Sequence, residues 1–417
     1  MKILWITNIL FPEAQELLLG KGNLKASGGW MLGAAEALLK HEEVDLYVSC
    51  PTSLVKDLQY LEGKEIKYYV FPLGRGNTRR NREYQNYWRI ISEAIQPDIT
   101  HIYGTEYTHG LEYIEACGSD NVIVSIQGLV SVYARYYNEG LTNWEILRNI
   151  TIKDLIRGSL FSGKQSFERR GKYELELLKR AKHIIGRTSW DRSHAWAINP
   201  EANYHFCNET LRPEFYTGET WSYDKCRPHS IFVSQGSYPI KGLHMLLRAM
   251  PFILRCFPDA TVRVAGPDVT CSKTGFRGIL KLGGYGKIIR SIIQKYDLQR
   301  CVTFTGALDS NGMKQEYLRS NVFVCPSSIE NSPNSLGEAQ ILGTPIVASY
   351  VGGIADMMKG DEAHLYRFNE VEMLAYKICI IFRECIPNKE SMDMARKRHS
   401  SAINSISLVE IYNRILH

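Results

Sequence analysis

Short apolar, β-branched runs recur along the chain and alternate with longer stretches in which apolar residues return every three to four positions. The first kind of run predicts buried strands, and the second predicts amphipathic helices. One series of predicted strands covers residues 2–7, 44–50, 67–73, 99–104, 121–127 and 183–188, and a second covers residues 230–235, 260–265, 302–306, 322–326, 345–350 and 363–368. Strands that alternate with helices in this way predict parallel sheets covered by helices on both faces.

The predicted strands are too many for one open sheet of usual width, so the pattern predicts an α/β protein with two doubly wound, Rossmann-like domains. Residues 1–205 would form the first domain and residues 229–390 the second, joined by a polar, turn-rich linker at 206–228. Residues 391–417 have helical spacing, and we expect them to pack back on the first domain. Ligands of doubly wound sheets bind beyond the carboxyl ends of the strands, so we expect the chemistry in loops that follow strands.

The composition is that of a globular protein and not of a disordered, fibrous or membrane-spanning chain. Of the 417 residues, 44% are hydrophobic and 23% are charged, and the apolar runs are much shorter than the ~20 residues of a membrane helix. The first apolar run meets Pro12 and Glu13 without a small-residue cleavage site, which favours a strand over a signal peptide. The 10 cysteines include no Cys-x-x-Cys pair, so we expect a reduced, cytoplasmic protein without a zinc knuckle or a thioredoxin-type motif.

The net charge of +6 is concentrated in one segment. Residues 143–182 contain ten Lys or Arg and five Asp or Glu, a net charge of +5. Leu and Ile interleave with the basic residues, which is typical of a surface that rests on an anionic membrane, but a solvated helix face explains the charge equally well. No DNA- or RNA-binding motif accompanies the charge, so nucleic acid is not an expected partner.

The stretch from Ser327 to Thr344 carries the strongest candidate chemistry. Asn334 or Ser335 is a suitable N-cap for a helix that would end at Gly343. Free N–H groups at the start of such a helix suit a diphosphate. The carboxylates of Glu330 and of Glu338, which is expected in the first turn, can each accept hydrogen bonds from vicinal hydroxyl groups of a sugar or ribose. The alternative is structural: Glu338 would only complement the helix dipole, and Glu330 would only end a strand.

This segment resembles the signature of retaining family-4 glycosyltransferases, in which a Glu, seven residues and a second Glu lie in a loop rich in Ser, Asn, Pro and Gly. Three further stretches resemble the same family in the same order along the chain: residues 234–242 (SQGSYPIKG), 302–308 (VTFTGAL) and 343–353 (GTPIVASYVGG). Gly28 and Gly29 before a predicted helix resemble its glycine-rich first loop. The resemblance is close in the second half of the chain and loose in the first.

The resemblance implies the GT-B architecture, in which two doubly wound domains face a cleft and the second holds most of a nucleotide sugar. It implies that Glu338 binds the ribose hydroxyls, that Glu330 binds the transferred sugar, and that Lys241 neutralises the diphosphate as the leaving group departs. The remaining donor contacts that it implies come from Asn331, Ser332, Asn334, Ser335, Leu336, Gly28, Gly29 and Gly236. It implies no metal or other cofactor, and the chain has no clear Asp-x-Asp metal motif.

Two positions depart from the family pattern. The arginine that usually stands five or six residues before the lysine is replaced by Gln235 and Gly236, and we expect Arg187 to supply the missing cation to the donor. A histidine that often follows one of the first-domain strands is replaced by Gln127, which can hold an acceptor hydroxyl but cannot take its proton. The resemblance allows for this, because a phosphate oxygen of the leaving group is thought to take that proton in such retaining enzymes.

A polar stretch after another first-domain strand, at residues 100–109, offers two candidates for acceptor chemistry. Glu106 and His109 would orient or deprotonate the acceptor. The alternative is an ordinary loop carboxylate and a solvated histidine. Both interpretations stay open at this point.

Together these features predict a retaining glycosyltransferase that moves a sugar from a nucleoside diphosphate sugar to a glycan or lipid-linked glycan. The expected setting is surface polysaccharide synthesis in the cytoplasm, with contact to the inner face of the cell membrane through residues 143–182. Two alternatives remain: a nucleotide-sugar epimerase of the same architecture, and a non-catalytic sugar-binding protein. An NAD-dependent oxidoreductase is disfavoured, because no Gly-x-Gly-x-x-Gly follows the first strand.

Overall fold

The chain divides into two compact units, each built from separate stretches of sequence. The structure, a computed structural model, describes residues 1–20, 29–74, 79–271, 280–384 and 389–417. The first domain consists of Met1–Val132, Ser166–Pro213 and Lys397–His417, and the second consists of Tyr133–Gln165 and Glu214–Arg396. Residues 133–165, which the sequence analysis assigned to the first domain, therefore belong by their contacts to the second.

The sheet of the first domain is parallel except at one edge. Its strands are β1 (Lys2–Ile6), β2 (Asp45–Thr52), β3 (Gln59–Glu62), β4 (Lys67–Pro72), β5 (Ile99–Tyr103), β6 (Val122–Ser125), β7 (His183–Gly186) and β8 (Asn203–Phe206). They lie in the order β3-β4-β2-β1-β5-β6-β7-β8, and only the β3–β4 pair is antiparallel among these strands. Every residue of β5 and β6 is buried, as expected for central strands covered on both faces.

The sheet of the second domain is parallel throughout its named strands. These are β9 (Arg227–Val233), β10 (Thr261–Val264), β11 (Val302–Phe304), β12 (Ser320–Cys325), β13 (Ile346–Ser349) and β14 (Leu365–Tyr366). Their order is β11-β10-β9-β12-β13-β14. The order reverses between β9 and β12, because β9 leads to β10 on one side and β12 leads to β13 on the other.

Helices connect the strands in both domains. Their bounds are α1 (Pro12–Leu19), α2 (Gly29–Leu38), α3 (Glu83–Ile95), α4 (His109–Cys117), α5 (Val130–Tyr133), α6 (Asn143–Arg148), α7 (Ile152–Arg157), α8 (Leu160–Arg180), α9 (Ser189–Ile198), α10 (Leu243–Cys256), α11 (Gly284–Lys295), α12 (Ser310–Arg319), α13 (Asn334–Leu342), α14 (Ile354–Met357), α15 (Val371–Glu384), α16 (Lys389–Arg398) and α17 (Ser401–Leu416). No helix in the described ranges has both the length and the apolar character needed to cross a bilayer.

The last helix of the chain, α17, completes the core of the first domain. It packs against α2, and Tyr412 is fully buried there. The phenol oxygen of Tyr412 accepts a hydrogen bond from Nε1 of Trp5 at 3.1 Å and lies 2.6 Å from Nδ1 of His101. Three distant parts of the sequence thus meet in one buried polar contact.

Two helices, α10 and α15, cover one face of the second sheet with a continuous apolar layer. Residues at helical spacing on α10, such as Leu243, Leu246 and Leu247, are fully buried against the strands. The opposite face is built on aromatic rings, with Phe232 and Phe323 packing edge-on to Tyr317. The prediction of an α/β fold with two doubly wound domains is confirmed, and the twelve predicted strands are all present.

Candidate functional site

Three loops of the second domain meet at the carboxyl edge of its sheet. They follow β9, β12 and β13, which are neighbours in the sheet, and they carry Lys241, Glu330 and Gly352. The strand order reverses between β9 and β12, and a doubly wound sheet opens a crevice at such a reversal. This edge is therefore where the fold itself predicts a ligand.

The loop after β9 is held against the loop after β12 by backbone contacts. The N–H of Ser328 donates to the carbonyl oxygen of Ile240 at 2.8 Å. Gly242 has φ of 68°, and a Cβ atom there would lie 1.6 Å from the carbonyl oxygen of Pro326. Only glycine fits this approach. Lys241 lies between these two contacts, so its backbone position is fixed.

Lys241 and Glu330 form an ion pair in the crevice. Nζ of Lys241 donates to Oε1 of Glu330 at 2.6 Å, and the hydroxyl of Ser327 donates to the same oxygen at 2.8 Å. Burial alone would lower the pKa of the Lys241 ammonium, but the charge of Glu330 outweighs burial and raises that pKa above its ordinary value. Lys241 is therefore a fixed cation at this edge. Within the described residues, no group of three or more His, Cys, Asp or Glu side chains could hold a metal ion.

Gly236 follows β9 and is enclosed by apolar side chains. A Cβ atom there would lie 2.7 Å from Cδ2 of Leu243 and 2.9 Å from Cγ1 of Val264. The packing of β10 and α10 therefore requires glycine at this position. Gln235, the other position where the family pattern has an arginine, is exposed and is not restricted in this way. Contact between Gly236 and a donor stays a prediction.

Helix α13 starts directly after the loop that carries Glu330. Pro333 is its N-cap, so the prediction that Asn334 or Ser335 caps the helix is wrong; both are helical and partly exposed, whereas Leu336 is buried in the core. The helix ends at Gly343 with φ of 77°, as predicted. The first N–H groups of a helix have no partner within it, so this end attracts an anion.

Asn331 and Ser332 precede this helix and differ in their contacts. The N–H of Asn331 donates to the phenol oxygen of Tyr133 at 2.9 Å, and Asn331 is buried. The hydroxyl oxygen of Ser332 is also buried, yet it has no hydrogen-bond partner among the described residues. A buried polar atom without a partner costs free energy, so a ligand that reached Ser332 would recover that loss.

Glu338 lies in the second turn of α13, whereas the sequence analysis predicted the first turn. Its side chain is buried, and Oε2 accepts a hydrogen bond from the hydroxyl of Tyr317 at 3.3 Å. A helix dipole acts mainly on charges in the first and last turns. The alternative that Glu338 only complements the dipole is therefore weakened, and a role toward a ligand stays a prediction.

Arg187 and Gln127 lie together in the first domain, after β7 and β6. The guanidinium of Arg187 forms an ion pair with Glu209 and donates to the carbonyl oxygen of Ile126 at 3.0 Å and to Oε1 of Gln127 at 3.1 Å. Burial by itself lowers the pKa of Arg187, but Glu209 and Asp191 raise it above its ordinary value. Arg187 thus belongs to a buried polar network, and its predicted contact with a donor stays a prediction.

Glu106 and His109 follow β5 in the first domain. Oε2 of Glu106 is buried and has no hydrogen-bond partner in the described part of the chain, and burial raises the pKa of this carboxyl. His109 begins α4, is 2% exposed and stacks on Tyr107 with 5.8 Å between ring centroids. Burial lowers the pKa of His109 to about 4. The alternative of a solvated histidine is therefore wrong, whereas roles toward an acceptor stay predictions.

The glycine pair near the N-terminus is described only in part. Gly28 lies outside the described residues, and Gly29 is the first residue of α2. The same helix lines a pocket at the carboxyl edge of the first sheet, together with Arg187, His101 and Tyr103.

Sequence reasoning missed several residues that hold the candidate site in place. Three of them form hydrogen bonds: Ser327 with Glu330, Tyr317 with Glu338 and Tyr133 with Asn331. The fourth, Glu209, forms an ion pair with Arg187. Ser327 alone had a local signal, because it stands three residues before Glu330. The other partners are 21 to 198 residues away along the chain, so only the fold reveals them.

Residues 227–384 match the sequence family described as Glycosyl transferases group 1. This range contains Lys241, Glu330 and α13 with Glu338, so the resemblance seen in the motifs is confirmed at the level of this family. An uncharacterized glycosyltransferase of Methanocaldococcus jannaschii is 26% identical over 173 residues, which are 40% of this chain and 40% of that protein. A phosphatidyl-myo-inositol mannosyltransferase of Mycobacterium leprae is 26% identical over 175 residues, 41% of this chain and 40% of that protein. The chain therefore matches less than half the length of these curated relatives.

The fold resembles solved structures over nearly the whole chain. The crystal structure of Anabaena HepE in complex with UDP covers 99% of this chain and 100% of that chain, with a TM-score of 0.63 and 13% identity. At this identity the likeness concerns the fold alone. It confirms the predicted GT-B class of two parallel-sheet α/β domains.

Proposed function

We propose that this protein is a retaining glycosyltransferase that transfers a sugar from a nucleoside diphosphate sugar to a glycan or lipid-linked glycan. The observation that carries the proposal is the Lys241–Glu330 pair, 2.6 Å apart at the reversal of strand order in the second domain. The pair lies within the range that matches group 1 glycosyltransferases.

The second domain supplies the groups that a nucleotide sugar needs. Lys241 and the N-terminus of α13 neutralise the diphosphate, where negative charge grows as the leaving group departs. The carboxylate of Glu330 accepts hydrogen bonds from hydroxyls of the transferred sugar, which share it with Lys241. Glu338 accepts hydrogen bonds from the ribose hydroxyls. The unpaired hydroxyl of Ser332 donates a hydrogen bond to the nucleotide sugar.

In the transfer step the bond between the anomeric carbon and the diphosphate oxygen breaks, and a bond from that carbon to the acceptor oxygen forms on the same face. The acceptor proton passes to a phosphate oxygen of the leaving diphosphate. Gln127 holds the acceptor hydroxyl, Glu106 and His109 orient it, and Arg187 assists the diphosphate as the second cation. We propose that no metal takes part, since a lysine and a helix terminus stand at the diphosphate.

The proposed acceptor belongs to surface polysaccharide synthesis at the cytoplasmic face of the membrane. The Mycobacterium leprae relative is named for a phosphatidyl-myo-inositol substrate, which supports a lipid-bearing acceptor. UDP sugars are the first donors to test, because HepE was solved with UDP.

A thermal-shift screen of UDP-, GDP-, ADP- and TDP-sugars and their free nucleotides, without metal, tests the donor site. Binding to the folded state alone raises the midpoint, so one nucleotide family should raise it in the wild type and not in Lys241→Met. The matched control is Lys314→Met, whose ammonium bonds only backbone oxygens of the same domain among its described contacts. No shift with any nucleotide would contradict the proposal.

Product analysis separates the alternatives. Transfer releases free nucleoside diphosphate only with an acceptor and leaves the sugar with its original anomeric configuration. An epimerase would convert the sugar nucleotide into its isomer or a free sugar without an acceptor. Binding without turnover of any donor and acceptor would indicate a sugar-binding protein.

A further inference from the structure

Two short helices of the second domain, α6 and α7, expose large apolar side chains to solvent. Trp144 is 70% exposed, and Leu155 and Ile156 are each 78% exposed. Leu147 and Ile152 are also more than half exposed. Five such side chains fall within 13 residues, a density of exposed apolar groups that a protein seldom shows without a partner.

On α6, the apolar stripe points away from the domain because the opposite side of the helix is anchored. Trp144, Leu147 and Arg148 share one side at helical spacing, and Ile146 on the other side is 2% exposed. The carboxylate of Glu145 accepts from Arg248 at 2.7 Å, which ties α6 to α10.

The next helix is anchored in the same manner. Ile152, Leu155 and Ile156 share one side of α7, whereas Asp154 lies opposite and accepts from the N–H of Gly284 at 3.0 Å. Each helix also begins with a reciprocal capping box, Thr142 with Glu145 and Thr151 with Asp154. The outward direction of both apolar stripes is therefore built into the fold.

Basic side chains border the exposed apolar residues. Arg148 and Arg157 are exposed and Lys153 is partly exposed, and no carboxylate in the described ranges forms an ion pair with any of them. The two local carboxylates, Glu145 and Asp154, are already engaged toward the domain. The surface therefore presents uncompensated positive charge around an apolar centre.

We propose that this surface, formed by the exposed side chains of residues 144–157, docks on an anionic lipid bilayer. Trp, Leu and Ile enter the boundary between headgroups and acyl chains, and Lys and Arg attract the negative headgroups. A protein partner is less suited, because it would have to bring carboxylates that match each of these cations once they are buried. Leu280, three residues before Gly283, is also 56% exposed, and a Cβ atom at Gly283 would lie 3.7 Å from Nζ of Lys153.

Only the first third of the basic segment at residues 143–182 carries this lipid-docking surface. The long helix α8 contributes many of the basic residues, but it also buries Glu174, Leu177 and Leu178 in the first domain. One side of α8 therefore packs in the core of the first domain, and this helix is not part of the proposed surface. Docking on lipid goes beyond the transfer reaction and does not rest on it, because vesicles bind without donor or acceptor.

Sedimentation with vesicles of phosphatidylcholine and phosphatidylglycerol, and with vesicles of phosphatidylcholine alone, tests the surface. We expect the full chain to bind the anionic vesicles and to lose affinity about tenfold in Trp144→Ser. The matched control is Trp196→Ser, because Trp196 in the first domain is also 70% exposed. The affinity of the double variant Lys153→Gln and Arg157→Gln should fall about fivefold for each charge and depend less on salt, with Arg148 still present.

Loss of vesicle binding can be distinguished from loss of folding and from loss of transferase activity. Each substituted residue is wholly or partly exposed, so thermal midpoints should match that of the wild type. Equal binding by Trp144→Ser and Trp196→Ser, or no binding to anionic vesicles, overturns the proposal. A concentration-dependent dimer that Trp144→Ser abolishes would overturn it in favour of a second copy of this chain.

Discussion

Gly352 holds the backbone of Glu330 in place from the neighbouring strand. A Cβ atom at Gly352 would lie 1.8 Å from the carbonyl oxygen of Glu330, and the N–H of Gly353 donates to that oxygen at 3.0 Å. The loop after β13 thus fits closely under the loop after β12, and this fit sets where the Glu330 side chain begins.

Replacing Gly352 should therefore impair the candidate site without touching a reactive group. Gly352→Ala must push Glu330 away, and we expect turnover to fall at least about tenfold. Gly306→Ala is the control, because Gly306 also has positive φ but has no atom within 4 Å of an added Cβ. Initial rates with donor and acceptor, compared at equal folded fraction, check this. Equal losses in both variants would mean that backbone strain and not the position of Glu330 matters.

The two members of the Lys241–Glu330 pair should fail in different ways. Lys241→Met removes the fixed cation, so we expect nucleoside diphosphate affinity to fall by about tenfold or more. Glu330→Gln keeps the cation, so diphosphate affinity should persist while turnover falls about a hundredfold. Calorimetric titration with the free diphosphate and steady-state rates measure both effects. If Glu330→Gln turned over normally, its role toward the sugar would be excluded.

Glu338 should affect binding of the nucleoside and not of the diphosphate. Glu338→Ala removes two acceptor oxygens, and we expect nucleotide affinity to fall by about tenfold or more. Tyr317→Phe removes the 3.3 Å hydrogen bond to Glu338 but keeps its carboxylate, so affinity should change by less than about fivefold. Comparing a ribonucleotide with its deoxyribose counterpart in each variant isolates the hydroxyl contact. Equal discrimination in Glu338→Ala and the wild type would rule it out.

Arg187 should be necessary for the stability of the first domain. Its guanidinium is buried and paired with Glu209, so Arg187→Met leaves a buried carboxylate without its partner and should cost about 3–5 kcal/mol. The double variant Arg187→Met with Glu209→Leu should recover part of that loss. Chemical denaturation followed by intrinsic fluorescence measures the difference. A single variant as stable as the wild type would show that the network does not support the fold.

Buried His101 should make the first domain sensitive to acid. Burial lowers the pKa of His101 to about 3, from an ordinary value near 6.5. Between these values the unfolded state binds more protons, so stability is complete above about pH 6.5 and falls as the pH drops toward 3, by at most about 1.4 kcal/mol per pH unit for this group.

A matched pair of variants isolates this contribution. His101→Gln should flatten the dependence of unfolding free energy on pH, whereas His417→Gln at the exposed end of the chain should not. Denaturation curves at several pH values between about 4 and 7 test this. Parallel curves for the wild type and His101→Gln would contradict the assignment.

The local pattern of apolar residues predicted the strands well and missed two. β3 has the sequence QYLE and is mostly exposed, so it has no buried run, and β8 covers four residues within a polar stretch. Both lie at the edges of the first sheet, where burial demands least of the sequence. Central strands such as β12 were predictable because all of their residues are buried.

The candidate site was predictable in its parts but not in its contacts. Lys241 and Glu330 were named separately, and their pairing across 89 residues follows from the neighbouring positions of β9 and β12. Strand order depends on the whole chain, so no local pattern contains it. For the same reason the pairing of Arg187 with Glu209 was not predicted.

Tyr412 ties α17 to β1, and this has a consequence for synthesis on the ribosome. The core around β1 receives Tyr412, Leu408 and Ile411 from α17, which is translated only after the second domain. Until that helix emerges, the nascent first domain has an open apolar face and the indole N–H of Trp5 has not met its partner. The second domain has by then been translated in full, so the order of folding can reverse the order of the sequence. Chaperones would therefore meet this protein chiefly through the unfinished core of the first domain.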